Sequence, residues 1–185
     1  MITSDRMAAV DRNAAALGVP RRQLMESSGN AVARVVRDAA TPGDSIAVVA
    51  GRGNNGGDGF VAARFLSAFD VTVHLLGRRS AVGTDIARAN WDALGQAELD
   101  RREVTDGSAL DLEDPDLIVD AMLGTGVTGA LREPERTAAE AINTADAAVV
   151  AVDVPSGVDA DSGETDGVAV AADRVVTFHD QKPGL

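Results

Sequence analysis

The chain has 185 residues, and its 29 acidic and 17 basic side chains give a net charge of −12 at pH 7. This charge argues against nucleic acid as a partner because phosphates would repel the protein, and the absence of cysteine excludes disulfides and cysteine-ligated zinc. No apolar run is long enough to span a membrane and no signal peptide is recognisable, so we expect a soluble, cytoplasmic protein with no membrane partner.

Two helices are predicted at the start of the chain. The first covers residues 3–17, with Ser4 as its cap and apolar residues at helical spacing. Gly18 ends it, and the second helix covers residues 21–40. Small polar residues at 27–30 interrupt the apolar pattern of the second helix. They indicate either close helix packing or one wall of a ligand site.

A glycine-rich stretch at residues 51–59 follows the first predicted strand and precedes a helix. Five of its nine residues are glycine, which lets the backbone adopt positive φ and approach a ligand. A helix N-terminus favours an anion such as phosphate. Asn54, Asn55 and Asp58 add polar groups that suit a polar small molecule or a cation. A tight strand-to-helix turn without a ligand is the alternative.

Strands and helices alternate along the remainder of the chain, which predicts one α/β domain with a mainly parallel sheet covered on both faces. Strands are predicted at 46–50, 71–76, 103–104, 117–123, 147–152 and within 168–178. Further helices are predicted at 60–69, 83–94 and 133–144. His74 lies inside a strand and is expected to be a packed residue rather than a ligand. Residues 179–185 are expected to form a polar tail.

Loops at the carboxyl ends of parallel strands converge on one crevice. Three predicted loops carry polar groups at such positions, at residues 51–59, 120–130 and 153–157. Asp120 is the one acid of an apolar strand, where a carboxylate is costly unless it is paired or bound to something. The polar residues expected around the crevice are Asn54, Asn55, Asp58, Asp120, Thr125, Thr128, Asp153 and Ser156.

The acidic composition also indicates an adaptation to salt. Lys182 is the single lysine among the 17 basic residues. An acidic surface rich in arginine favours a halophilic protein, because high salt screens the repulsion between its acids. An ordinary acidic protein is the alternative.

The three loops resemble those of the NAD(P)H-hydrate epimerase family, also called the YjeF N-terminal domain family. The similar stretches are NNGGDG at 54–59, DAMLGTG at 120–126, DVPSG at 153–157, MAAVD at 7–11 and LMESSG at 24–29. The resemblance runs from about residue 7 to residue 185 and indicates a single domain over 1–185. Family domains usually continue further, which indicates that this chain is truncated at its C-terminus.

The resemblance implies a Rossmann-like three-layer α/β/α sandwich that is commonly a homodimer. It implies an isomerase that interconverts the R and S epimers of hydrated NADH and NADPH, which are damaged nicotinamide cofactors. A dehydratase, sometimes fused C-terminally, then restores the cofactor. We therefore expect hydrated NADH or NADPH as substrate and functional coupling to that dehydratase.

The resemblance also implies the residues of the site. Potassium is expected at Asn55, Asp120 and Ser156. The expected substrate-binding residues are Asn54, Asn55, Gly56, Gly57, Asp58, Gly124, Thr125, Gly126, Val127, Thr128, Gly129, Ala130 and Asp153.

Asp153 is the predicted catalytic residue. Epimerisation at C6 of the hydrated nicotinamide ring needs a group that gives and accepts a proton beside that carbon. Asp120 is assigned to the cation, and Asp58 follows the asparagines at a helix start that faces phosphate. Asp153 ends an apolar strand, and Pro155 restricts the turn that follows. The alternative is that Asp153 only hydrogen-bonds the ligand or caps the turn.

Two other functions compete with the isomerase. A non-catalytic dimerisation or partner-binding module is the first, and polar residues at Asn55, Asp120 and Asp153 weigh against it. An NAD(P)-dependent oxidoreductase is the second. The second strand is followed by Arg78 and Arg79 rather than by an acid for the ribose, which weighs against a plain dinucleotide site.

Overall fold

The computed structural model describes all residues, 1–185, as one six-stranded parallel sheet with helices on both faces. The helices are α1 (Ser4–Ala16), α2 (Arg21–Ala39), α3 (Asn54–Arg64), α4 (Asp85–Gln96) and α5 (Glu135–Thr144). The strands are β1 (Ser45–Ala50), β2 (Asp70–Leu76), β3 (Asp100–Val104), β4 (Leu117–Ala121), β5 (Ala148–Val152) and β6 (Arg174–Val176). None of the helices is both long and apolar enough to cross a membrane.

The strand order is β3-β2-β1-β4-β5-β6, and every neighbouring pair is parallel. This is the order of a doubly wound Rossmann fold, in which the chain reverses direction across the sheet between β1 and β4. The prediction of a Rossmann-like α/β fold with a parallel sheet is therefore confirmed. The switch point places the turn after β1 beside the turn after β4, where ligands bind in such sheets.

Two apolar cores separate the three layers. On one face, α2, α3 and α4 cover the sheet through side chains such as Val36, Leu66 and Leu94. On the other face, α5 and the long connections cover it through side chains such as Ile142 and Met122. Each large side chain that is fully buried contributes about 1.5–3 kcal/mol. The alternation of apolar strands with amphipathic helices therefore accounts for both cores.

The glycine-rich stretch is largely helical, and the prediction that it is a loop through residue 59 was wrong. Helix α3 begins at Asn54 and ends at Arg64, so only residues 51–53 form the turn. A Cβ atom at Gly56 would overlap the carbonyl oxygen of Gly51, and one at Gly59 would lie 2.6 Å from the Cβ of Ala121. None of these glycines has positive φ. The glycines bring helix and sheet backbones together rather than loosening a loop.

The first helix has a different N-cap from the one predicted, and the second shows one of the two roles expected for its small polar residues. Thr3 rather than Ser4 caps α1, and its Oγ1 accepts a hydrogen bond from the Arg6 amide at 3.4 Å. Helix α2 continues without a break through its small polar residues. A Cβ atom at Gly29 would lie 2.5 Å from the side chain of Val61. Close helix packing therefore accounts for the glycine.

The last part of the chain differs most from the prediction. Only Arg174–Val176 forms a strand within the expected region 168–178. The Val170 amide donates to the Ser156 carbonyl, and the Ala171 amide donates to Oδ1 of Asn143. The amides of Val170 and Ala171 therefore bond to these groups rather than to a neighbouring strand. The expected polar tail is also wrong, since Lys182 in that segment is completely buried.

Candidate functional site

A buried carboxylate and a serine link the ends of β4 and β5. Asp120 has no exposed surface. Its Oδ1 accepts from Ser156 Oγ at 2.7 Å and from the Met122 amide at 3.2 Å, and its Oδ2 accepts from the Ser156 amide at 2.8 Å. Ser156 Oγ in turn accepts from the Leu123 amide at 3.0 Å. The two residues predicted from separate loops are therefore in direct contact.

The Asp120 carboxylate accepts three hydrogen bonds but has no basic partner. Burial raises its pKa to about 6, although the bonds from Ser156 and Met122 oppose that shift. A carboxylate in this position gains by having a positive charge beside it. The atoms near Asp120 that could bind a metal ion are hydroxyl and carbonyl oxygens. Such oxygens are hard ligands of the kind that alkali and alkaline-earth cations prefer.

Asn55 lies in the first turn of α3, on the face that looks toward β4 and β5. A Cβ atom at Gly124 would lie 3.2 Å from Asn55 Oδ1 and 3.3 Å from Asp153 Oδ2. Gly124 therefore allows these two side chains to approach from different elements. The Asn55 Nδ2 is buried without a hydrogen-bond acceptor. An orphaned buried amide is costly, which indicates a polar partner when the site is filled.

Asp153 comes directly after β5 in a left-handed backbone conformation, with φ of 68°. Aspartate tolerates this region better than most residues, and such conformations cluster at functional sites. The Asp153 amide donates to the Val176 carbonyl at 2.8 Å, which fixes the backbone against β6. Its Oδ2 accepts from the Thr125 amide at 3.5 Å. The predicted loops after β4 and β5 thus meet at this carboxylate.

Lys182 is the site residue that sequence reasoning missed. Its Nζ lies 2.7 Å from Asp153 Oδ1, although the angle between them is too poor for a hydrogen bond. The ammonium donates instead to Thr177 Oγ1 and to the Phe178 carbonyl, each at 2.8 Å. Since Lys182 is the chain's single lysine, its position in a supposed polar tail was the available signal.

The first helix and the C-terminal segment close one side of the crevice. His179 Nε2 lies 2.9 Å from Asp11 Oδ1, and the Thr125 hydroxyl lies 3.8 Å from Met7 Sδ. Asp58 on α3 is partly buried. Burial raises its pKa well above the usual value, and the negative charges of Asp153 and Asp11 raise it further.

The helix start and the loop after β4 supply the remaining predicted positions. No side chain caps α3, so the amides of its first turn are free to bind an anion. Asn54 Oδ1 accepts from the Thr84 hydroxyl at 3.0 Å, which turns this side chain toward α4. The loop borders a polar cleft of about 410 Å³. Among the predicted positions, Gly124, Val127, Thr128 and Gly129 line that cleft.

Arg79, which follows β2, forms an ion pair with α4. It forms two bonds of 2.6 Å to the carboxylate of Asp92 on α4. Arg79, one of the two arginines that follow β2, is therefore paired with an acid of the same chain.

Comparison with known proteins agrees with this geometry. The family model described as YjeF-related protein N-terminus matches residues 21–184. The chain belongs to this family. The matched range contains β1 to β6, the Asp120–Ser156 contact and the Asp153–Lys182 pair. The resemblance inferred from the three loops is thereby confirmed.

Several curated members of the family are similar over nearly the whole chain. The bifunctional NAD(P)H-hydrate repair enzyme Nnr of Methanothermobacter thermautotrophicus is 47% identical over 97% of this chain. The chain spans only 36% of the length of that relative. The NAD(P)H-hydrate epimerase of Cenarchaeum symbiosum is 38% identical over 100% of this chain, and here the chain spans 87% of the relative.

A solved family structure has the same architecture. The crystal structure of yeast ynu0 superposes with a TM-score of 0.88 at 27% identity. The comparison covers 100% of this chain and 82% of the yeast chain. The overall fold of this chain is therefore that of the solved yeast structure.

Proposed function

We propose that this chain is an isomerase, an NAD(P)H-hydrate epimerase that interconverts the R and S epimers of hydrated NADH and NADPH. The observation that carries the proposal is the match to relatives that bear this name and have nearly this length, such as the Cenarchaeum symbiosum protein. The site supports it, since Asn55, Asp120 and Asp153 converge at the carboxyl edge of the sheet.

The substrate lies across the switch point of the sheet. Its pyrophosphate is bound by free amides at the start of α3, from Asn54 to Gly56, where the helix dipole favours an anion. Gly57 and Asp58 continue this wall. The hydrated ring faces Asp153 and the loop after β4, whose contacts come from Gly124, Thr125, Gly126, Val127, Thr128, Gly129 and Ala130.

A potassium ion is held by Asn55, Asp120 and Ser156. The fully buried Asp120 carboxylate without a basic partner is the observation that fits a cation, and the donors around it are oxygens. One negative charge among neutral oxygens suits a monovalent ion better than a soft transition metal. The ion supplies positive charge close to the bound substrate.

Potassium binding is testable without activity. Melting temperature is measured in KCl and in choline chloride at matched ionic strength, for the wild type and for Asp120→Asn. We expect a higher melting temperature in KCl for the wild type only, because the variant lacks the charge that holds the ion. Equal melting temperatures in the two salts for the wild type would leave the Asp120 cluster a purely structural one.

Asp153 exchanges a proton with the substrate. It ends β5 beside Gly124 and is held by Lys182, so its carboxylate is rigid. Asp153→Asn keeps the shape of the side chain but removes the titrating group. We expect turnover to fall about 100-fold or more with substrate binding retained. Near-normal turnover would restrict Asp153 to a binding role.

The activity itself is tested by incubating the purified protein with the R epimer of hydrated NADPH and following the appearance of the S epimer. A partner-binding module is the competing function, and it predicts no conversion above the rate without protein. An oxidoreductase predicts a change in absorbance when the intact cofactor is supplied with a reducible substrate. The same assay with hydrated NADH measures cofactor preference.

The relatives suggest a wider context for the chain. The bifunctional repair enzymes join a region similar to this chain to a further region in one protein. Functional coupling to an NAD(P)H-hydrate dehydratase therefore follows from the proposed activity, because the epimer made here is consumed there. The chain acts in the cytoplasm, where reduced nicotinamide cofactors are used, and as a homodimer. Sedimentation equilibrium tests the dimer.

A further inference from the structure

The single lysine of the chain is enclosed by oxygen atoms. Lys182 is completely buried, although lysine is seldom fully buried unless it has a partner. Its Nζ lies 2.8 Å from Thr177 Oγ1 and 2.8 Å from the Phe178 carbonyl oxygen. Asp153 Oδ1 lies 2.7 Å away and the Asp180 carbonyl oxygen 3.5 Å away. Since no part of Lys182 reaches the surface, its ammonium group is not placed to contact a substrate directly.

The segment that carries Lys182 is fastened by other parts of the chain. The Gln181 carbonyl accepts a hydrogen bond from the Ile2 amide at 2.9 Å, and the Gly184 amide donates to the Ala160 carbonyl at 2.9 Å. The two residues whose oxygens accept from the ammonium at 2.8 Å directly follow β6, which pairs with β5. The position of Lys182 is therefore set by groups other than Asp153.

The two carboxyl oxygens of Asp153 face different neighbours. Oδ1 lies against Lys182 and is buried without a hydrogen bond. Oδ2 accepts from the Thr125 amide at 3.5 Å, and a Cβ atom at Gly124 would lie 3.3 Å from it. These two residues belong to the loop that borders the polar cleft. The contact with Lys182 at Oδ1 therefore orients the carboxyl plane, with Oδ2 directed at this loop.

We propose that Lys182 is a positioning residue for the epimerisation: by its contact with Oδ1 it fixes the carboxyl plane of Asp153 and so presents Oδ2 to the substrate. The proposal rests on the epimerase function and on the role of Asp153 proposed above. Lys182 acts through Asp153 and not by contact with the substrate. Such a group matters for the rate because a displacement of a reacting group by about 1 Å can cost about 100-fold.

The first test measures kcat and KM in Lys182→Met and in the control Leu94→Ala, which truncates a side chain of the core under α4. Both changes destabilise the protein, so kcat is referred to the folded fraction measured by circular dichroism. We expect Lys182→Met to lower kcat about 100-fold with little change in KM, because only the orientation of Asp153 is lost. Leu94→Ala keeps the wild-type kcat. A wild-type kcat in Lys182→Met, or a loss confined to KM, would overturn the positioning role.

The second test asks whether Lys182 acts through Asp153. Once Asp153→Asn is present, adding Lys182→Met should cause no further loss of turnover, because both changes remove the same oriented carboxyl group. Losses that multiply in the double variant would show that Lys182 affects turnover by another route, and would overturn the proposal. A wild type that epimerises nothing would instead overturn the proposed function, on which this inference rests.

The third test uses the folded wild-type protein and does not depend on activity. Because the chain has one lysine, labelling lysine with ¹⁵N at Nζ gives one ammonium signal. We expect its protons to exchange slowly with water, since Lys182 is buried and hydrogen-bonded. Asp153→Asn should shift this signal, and Asp85→Asn at the exposed start of α4 should not. Exchange as fast as that of free lysine, or a signal unmoved by Asp153→Asn, would overturn the proposal.

Discussion

At the scale of single residues, the burial of His74 makes the unfolding free energy depend on pH. It is 1% exposed in β2, and neither ring nitrogen has a hydrogen-bond partner. Burial and the nearby Arg102 charge lower its pKa, while nearby acids oppose that shift. The folded protein therefore resists a proton that the unfolded chain takes up near its usual pKa of about 6.5. The unfolding free energy should fall as pH drops through that value.

Replacing His74 by leucine tests this linkage. In His74→Leu, the loss of stability that His74 causes between about pH 7 and pH 5 should disappear. The substitution should also stabilise the protein at pH 7 by roughly 1 kcal/mol, because two unpaired polar atoms are lost. Denaturant unfolding at several pH values measures both. His179→Gln is the matched control and should retain the loss on acidification. An unchanged pH profile in His74→Leu would show that other groups cause it.

The Lys182–Asp153 pair provides a second prediction at this scale. Lys182→Met leaves a buried carboxylate without its cation, which should lower the unfolding free energy by about 3–5 kcal/mol. Adding Asp153→Asn should restore part of the loss, because the uncompensated charge is then gone. The exposed Arg136→Met serves as control, with an expected change of at most about 1 kcal/mol. Additive effects of the two site substitutions, measured by chemical denaturation, would contradict the coupling.

At the scale of elements, the start of α3 depends on glycines that allow close approach. A Cβ atom at Gly51 would overlap the Met122 carbonyl, and one at Gly56 would overlap the Gly51 carbonyl. At Gly53 nothing lies within 4 Å, and φ is −95°. The three positions lie in one short stretch, but only two of them require glycine for packing.

Alanine substitutions separate these roles. Gly56→Ala should lower the unfolding free energy by about 1–3 kcal/mol or more, because the helix must move away from β1. Gly53→Ala should change it by no more than about 1 kcal/mol, the difference expected for glycine at a helix cap. Thermal unfolding measures both variants. Equal losses at the two positions would mean that flexibility, rather than contact, explains the glycines.

At the scale of the whole molecule, the net charge of −12 acts on folding through self-repulsion. Salt screens this repulsion, so the unfolding free energy should rise from low to molar salt. Measurements in sodium chloride and choline chloride report the screening alone, and an additional rise in potassium chloride reports a bound ion. A stability that does not change with salt would argue against halophilic adaptation.

The fold class, and the gathering of polar residues at one edge of the sheet, could be predicted from the sequence. Alternating apolar strands and amphipathic helices specify a parallel sheet. Asp120 lies one residue before the end of β4, and Asp153 directly follows β5. Since the carboxyl ends of parallel strands share one edge, their convergence could be predicted without coordinates. The boundary of α3 could not, because glycine is typical of loops and only contacts with Gly51 and Ala121 show that it permits close packing.

The ion pairs of Asp153 and Asp11 could be seen only in the folded structure. Lys182 lies 29 positions after Asp153 in a segment with no apolar periodicity, so the local pattern predicted a polar tail. Asp11 and His179 are even further apart along the chain. Ion pairs between distant segments depend on where the chain returns, which short-range spacing does not encode. Burial raises the pKa of Asp58 and of Asp120, and this burial exists only after the layers have packed.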